Sequence, residues 1–357
     1  MQPEENRFES DPDELLTDDT ALPVGWTVEP PDPDDPAQVE RLTALWRGHQ
    51  VTGRGWASAT AGDVRIEIGR RGQRVRENVV IRDEAGRIVA WGMVHDRSIA
   101  RMVFRPVIDR DADARLARTC SAVLVAWAQA QAVEVGTARG LKSQQIDTEA
   151  FADDELFQRL LARNGFTWVR TWWQMSRPVT ADEAELVPDP ADWSANGVRF
   201  RLLGRDDSGV PDPVDVHRVH DVLEEAFADH FNSTEETFDE FVFRLREDPG
   251  HRWDHWWLAE LDDGTPAGAL VGSRLPGDPP GSYVEYIGVL ANARGRGVAK
   301  GLLHTVIADA ARRGRDRVGL EVDADSPTGA DGLYTSMGWQ TRYCTESWHQ
   351  EIAIAPQ

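Results

Sequence analysis

The sequence predicts two mixed α/β domains in tandem, each a mostly antiparallel twisted sheet flanked by helices. Three observations carry this expectation. The chain has 357 residues, about two domains at roughly 100–200 residues each. Strand-like and helix-like segments follow one another in the same order in both halves. Two stretches also overlay without gaps: residues 98–110 (SIARMVFRPVIDR) on 282–294 (SYVEYIGVLANAR), and later 161–166 (LARNGF) on 334–339 (YTSMGW).

Residues 1–21 are rich in Asp and Glu with no apolar run, and read as a disordered acidic tail, not a signal peptide. A first domain is expected over 22–182. In it the apolar spacing predicts a helix over 38–48, and strands over 78–82 and 87–95 about the turn Asp83-Glu84-Ala85-Gly86. A strand over 99–108, a long alanine-rich helix over 112–131, a short helix over 155–162 closed by Asn164-Gly165, and a strand over 167–175 follow. The proline-bearing stretch 183–196 reads as a linker. The second domain, 197–357, repeats the plan. Strands fall at 198–203, 256–261, 266–273, 282–290, 317–322 and 341–354, and helices at 213–228, 238–247, 299–313 and 329–336.

The formal net charge of -22 repels polyphosphate and excludes nucleic acid as an expected partner. A cationic amine suits it better. Cys120 and Cys344 are too few for a disulfide framework or a zinc site, which points to a reducing, cytoplasmic setting. No apolar stretch approaches the roughly 20 residues that cross a bilayer. His217 and His220 lie three apart on a predicted helix without a third ligand at suitable spacing, so no metal is expected.

The strongest chemical signal is Arg294-Gly295-Arg296-Gly297-Val298-Ala299, which follows a strand and opens a helix. Glycines let the backbone turn tightly and approach a ligand, and a helix start offers unpaired N–H groups and a partial positive charge. Together these suit a pyrophosphate. The stretch is neither a Walker A loop nor a dinucleotide fingerprint.

With the strand Tyr286-Ile287-Gly288-Val289 before it and LEVDADSPTGADGLYTSMGW (320–339) after it, this loop resembles the Gcn5-related N-acetyltransferase (GNAT) family, whose coenzyme A loop reads Arg/Gln-x-x-Gly-x-Gly/Ala. Arg294, Gly297 and Ala299 fill that pattern. The resemblance covers residues 197–355 well and 22–180 more faintly. It implies two GNAT-like domains in tandem, with central parallel strands that splay apart to admit acetyl-CoA. It also implies that the backbone of Ile287, Gly288 and Val289 pairs with the pantetheine arm and that the Val289 N–H faces the thioester carbonyl. Glu285 would be the base that takes the amine proton, and Tyr334 would protonate the departing thiolate. Ser326 stands where relatives often have Asn, beside the cofactor. Asp323 either contacts a cationic acceptor or ends a solvated strand. His230 and Phe231 stand where the family often lines its acceptor pocket.

In the first half, the ungapped match sets Arg101 against Glu285, the glycine-free loop 110–115 against the glycine turn, and Leu161 against Tyr334. That domain is expected to have kept the fold and lost the cofactor loop. The expected activity is transfer of an acetyl group to a small-molecule primary amine, by a monomer or a homodimer. The tandem plan also resembles family members that acetylate a cysteinyl amine on a sugar-inositol. A non-catalytic acyl-CoA sensor and a protein acetyltransferase are the rival readings.

Overall fold

The computed structural model describes residues 21–69, 76–185, 197–228, 236–247, 250–277, 279–325 and 329–355. The expected tail, apart from residue 21, and the expected linker from residue 186 on lie outside them. The chain divides into two compact units. One is the chain up to Trp172 together with Tyr343–Gln357, and the other is Trp173–Arg342.

The first unit contains β1 (Thr27–Glu29), α1 (Pro36–Arg54), α2 (Ala61–Ile68), β2 (Arg76–Arg82), β3 (Ile88–Ser98), β4 (Arg101–Ile108), α3 (Ala114–Ala138), β5 (Ser143–Phe151) and α4 (Glu155–Arg163). Next comes β6 (Thr167–Pro178), which enters the second unit at Trp173. The second unit continues with β7 (Val198–Leu202), α5 (Pro213–Phe227), α6 (Phe238–Glu247), β8 (His251–Leu261), β9 (Pro266–Leu275), β10 (Gly281–Val289), α7 (Val298–Arg312), β11 (Arg317–Asp323) and α8 (Ala330–Ser336). The last strand is β12 (Gln340–Ala353).

Strand order is β1-β2-β3-β4-β5-β12 in the first unit and β6-β11-β10-β9-β8-β7 in the second. This differs from a single cut at the linker, which would leave each half its own final strand. The C-terminal strand runs antiparallel to β5, from Thr345 opposite Phe151 to Ala353 opposite Ser143. Its Trp348 is buried in the first unit's core among Phe104, Leu161 and Phe166. Backbone pairing and an apolar anchor together commit β12 to the first unit.

Local chemistry sets the helix boundaries. Asp35, Asp113 and Asp154 cap α1, α3 and α4 by accepting the N–H groups of Ala37, Leu116 and Phe157, and Pro36 opens α1 where a missing N–H costs nothing. The matched endings of α4 and α8 are alike in detail. The Phe166 N–H reaches the Leu161 carbonyl and the Trp339 N–H the Tyr334 carbonyl, each at 3.1 Å. Gly165 and Gly338 supply the left-handed residue in between.

Each unit has a parallel pair that parts early. Between β10 and β11 the register runs from Ser282–Val318 to Val284–Leu320 and stops, while β10 stays paired with β9 as far as Val289–Gly268. Between β4 and β5 it runs from Arg101–Gln145 to Val103–Asp147 and stops, while β4 stays paired with β3 as far as Ile108–Ala90. Beyond these points the wedge-side edge of the central strand no longer pairs with its parallel neighbour.

Candidate active site

The loop before α7 is built as an anion cradle. A 3-10 turn over Ala291–Ala293 leads into Arg294, and then Gly295 and Gly297 adopt φ of 77° and 78°. A side-chain carbon at either glycine would meet no atom within 4 Å, so the backbone conformation, not space, calls for glycine. The first bond of the α7 ladder runs from the Gly301 N–H to the Gly297 carbonyl at 2.9 Å. The amides of Val298, Ala299 and Lys300 precede it, and Gly297 has no side chain to cap them. The Val298 side chain is buried in the core under the sheet, fixing the turn, while Arg294 and Arg296 are exposed beside it. Open glycines, uncapped amides and two guanidiniums fit a pyrophosphate.

Ile287 and Val289, on the parting half of β10, pack against the core that also holds Val298, Val322 and Tyr334. Gly288 lies under α5, where an added carbon would sit 2.9 Å from the Ala226 methyl. The loop, the parting strand and Tyr334 therefore share one core. Tyr334 is 8 % exposed, with its ring edge-on to Trp339 at 6.1 Å. Burial pushes its pKa up to about 12. It stays a phenol at neutral pH and can give a proton to a departing anion.

Glu285 is reached differently from the simple strand alternation of Tyr283, Glu285 and Ile287. It is the extra residue of a β-bulge: Val284 pairs with Gly272 and Tyr286 with Val271. The bulge reverses the parity. Val284 and Ile287 face one core, and Tyr286 faces the other, beneath α5 and α6. The Glu285 carboxylate accepts a 2.5 Å hydrogen bond from the Ser273 hydroxyl of β9. Bulges bend a strand and re-aim a side chain, and this one lies where β10 leaves β11.

The remaining expected contacts are mixed. Asp323 ends β11, and its carboxylate accepts the Asp325 N–H at 2.9 Å, closing a turn. Ser326, His230 and Phe231 lie outside the described residues. His217 stacks on Phe238 with centroids 3.5 Å apart, and His220 Nε2 donates to the Glu236 carbonyl at 3.0 Å. Among the described residues no group of three or more His, Cys, Asp and Glu is placed to hold a metal ion. No helix among them is long and apolar enough to cross a membrane.

The first unit has the same wedge but a different mouth. Asp113 accepts the Leu116 N–H at the start of α3, so a carboxylate already stands where an anion would bind. Arg110 turns inward, donating to Asp154 at 2.5 Å and to His49 Nδ1 at 2.5 Å. α1 crosses close to the end of β5: a side chain at Gly53 would come within 1.9 Å of the Phe151 ring. The strand registers also correct the ungapped match. Arg101 begins its parallel pairing as Ser282 does, so it stands opposite Ser282 and not Glu285, and its guanidinium pairs with Asp147. β4 pairs continuously with β3 from Met102 to Ile108, so the bulge residue itself is what the first unit lacks.

His49 makes this mouth sensitive to acid. Burial, then the charges of Arg110, Arg105 and Arg54, lower its pKa to about 3. The unfolded chain takes up a proton near pH 6.5 that the folded chain refuses. Stability from this group is full above 6.5 and is lost as pH falls from 6.5 toward 3. Between pH 7 and 5 the loss amounts to about 2 kcal/mol. Urea unfolding at the two pH values is expected to show it in the wild type and to show much less in His49→Gln, which keeps an acceptor for Arg110. Equal pH dependence in both would sink this assignment.

Residues 217–339 match the family model described as the acetyltransferase (GNAT) family. A mycothiol acetyltransferase of Thermobispora bispora is 32% identical over 198 residues, covering 53% of this chain and 59% of the relative. One from Frankia alni is 28% identical over 240 residues, covering 64% and 67%. The chain thus spans about three-fifths of the length of the first curated relatives it matches. A solved structure of a GCN5-related N-acetyltransferase from Sphaerobacter thermophilus superposes with a TM-score of 0.72 at 24% identity, over 93% of this chain and 98% of that one. A tandem GNAT protein from the clavulanic acid biosynthesis pathway superposes with a TM-score of 0.64 at 14% identity, over 92% and 99%. Residues 217–339 are thus similar to the GNAT family, and the chain shares its fold with solved GNAT structures, a tandem one among them.

Proposed function

We propose that this chain is an acetyl-CoA-dependent N-acetyltransferase that works in its second unit and acetylates a primary amine of a small molecule. The observation that carries this reading is the glycine-opened start of α7 beside a parallel pair that parts after three register positions. The donor's pyrophosphate would lie on loop 294–299 and its pantetheine along Ile287–Val289. Acetyl-CoA supplies an activated thioester. Glu285 takes the amine proton, so that the nitrogen lone pair attacks the carbonyl carbon. The Val289 N–H faces the oxygen as negative charge develops. The carbon–sulfur bond then breaks, Tyr334 gives its proton to the sulfur, and the nitrogen releases its remaining extra proton, which returns to the Tyr334 oxygen. Holding both reactants in one cleft supplies much of the acceleration. The first unit, with its mouth closed by Arg110 and Asp154, has a structural role in this scheme.

Identity to mycothiol acetyltransferases favours a finer reading, in which the acceptor is a cysteinyl amine on a sugar-inositol. Mixing that acceptor with acetyl-CoA and the protein, and weighing the product, distinguishes it from other amines. Cytoplasmic residence suits both.

Calorimetric titration of the intact chain with acetyl-CoA is expected to give one site per chain. Two sites would mean that the first unit also binds the donor. No binding would count against the enzymatic reading altogether.

A further inference from the structure

We infer that Ser273 is a positioning residue for the proposed base, holding the Glu285 carboxylate in its charged, acceptor-facing state through the hydroxyl it donates from β9. The inference rests on the reading of Glu285 as base.

β9 reads PAGALVGSRL, and its buried stretch from Ala267 to Gly272 is small and apolar. Ser273 follows at 4 % exposure. The extra residue of the bulge is on β10 and β9 skips none, so Ala269, Val271 and Ser273 alternate onto one face of β9, the face packed beneath α5 and α6. The same-face neighbours of Ser273 along β9, Val271 and Leu275, are apolar. A hydroxyl buried there costs free energy unless it is hydrogen-bonded. It is bonded, and its partner is Glu285 Oε1 at 2.5 Å.

The bulge makes this contact matter. A residue at a bulge is less fixed by the ladder than its neighbours. A carboxylate there needs a second anchor to keep one rotamer, and Ser273, fixed by pairing with Tyr283 on one side and His251 on the other, supplies it. A hydrogen bond given to a carboxylate also favours the ionised form, the form a base must have before it meets the amine. Titratable groups on this face include His251, Tyr283, Tyr286 and Arg244, with Glu321 and Asp323 on β11, the strand next to Tyr283. Burial, with Arg246 and Arg252, lowers the His251 pKa to about 4, which leaves it neutral. The Arg244 charge is held by both oxygens of Glu236 and its Nη1 donates to the Tyr286 hydroxyl. Ser273 thus gives Glu285 a neutral donor, which favours its charged form.

The test is the pH profile of kcat/KM for the intact chain with acetyl-CoA and an amine it turns over, in Ser273→Ala, Ser273→Thr and Glu285→Gln. Ser273→Ala is expected to move the acid limb up by about one pH unit and lower kcat about 5–10-fold. The dissociation constant for acetyl-CoA should not change. Ser273→Thr, which keeps the hydroxyl, should restore most of the rate, and Ser273→Ala in the Glu285→Gln background should cost nothing further. An unmoved limb with an unchanged rate, or a loss equal at every pH together with weaker donor binding, overturns the inference while Glu285 remains the base. A Glu285→Gln variant with full activity overturns the reading of Glu285 itself.

Discussion

Gly297→Asp is expected to weaken acetyl-CoA binding by about 100-fold or more, roughly 2.7 kcal/mol, while leaving the fold intact. The reasoning starts from the helix, not the ligand. Gly297 is the N-cap of α7, at φ 78° and without a side chain to serve the first-turn amides. Aspartate is among the residues that tolerate left-handed backbone, at a cost of about 1–2 kcal/mol, and a good N-cap returns about 1 kcal/mol. Its carboxylate would accept the amides that the pyrophosphate otherwise needs, and would add a negative charge at the phosphate position. The molecule already carries the comparison, because Asp113 caps α3 at the corresponding place in the first unit. Gly297→Ala separates the terms: it brings backbone strain without charge, and a loss of only about 5–10-fold is expected. Calorimetric titration of both variants, with their melting temperatures, is the measurement. Unchanged affinity in Gly297→Asp would remove the loop from the donor site.

The same pair of loops shows what was legible in the sequence. Glycine at 295 and 297, against the glycine-free loop 110–115 with Asp111 and Asp113 in the first half, marks one loop suited to an anion and one that repels it without any coordinates. The matched endings LARNGF and YTSMGW were equally readable, because a left-handed glycine before an aromatic has one common structural use. β5 was not. Its inward positions are Gln144, Ile146, Thr148 and Ala150, all buried. The alternation is present, but two of its four inward side chains are polar, so no apolar period marks the strand. α2 also escaped, being eight residues long and specified mainly by the Thr60–Asp63 capping box. The exchange of β12 into the first unit is not a local property at all. It depends on which strand edge meets Trp348, and spacing along the chain does not encode that.

The bulge had the largest effect on the site. Counting by twos along β10 places Glu285 beside Ile287, yet the register shift puts them on different faces. One inserted residue turns the carboxylate toward Ser273. Sequence pattern identified the residue type and its strand, but its orientation required the pairing partner.

The second large effect is expected at that residue. Glu285→Gln should lower kcat about 100–1000-fold, in the lower part of the range that a positioned general base supplies, with donor affinity retained. Glutamine preserves the length of the side chain and an oxygen to accept the Ser273 hydroxyl, so the bulge and the packing around it are kept. What it removes is the ability to take a proton. An amine with an ordinary basicity is mostly protonated at neutral pH, and without the carboxylate only its minor free form can attack. The residual rate should therefore climb with pH as that form increases, about tenfold per unit below the amine's own pKa, where the wild type has already levelled. Stopped-flow or thiol-release assays from pH 6 to 9 would show this difference in slope. A parallel fall at every pH would instead mean that Glu285 binds the acceptor and that another group, or water, receives the proton.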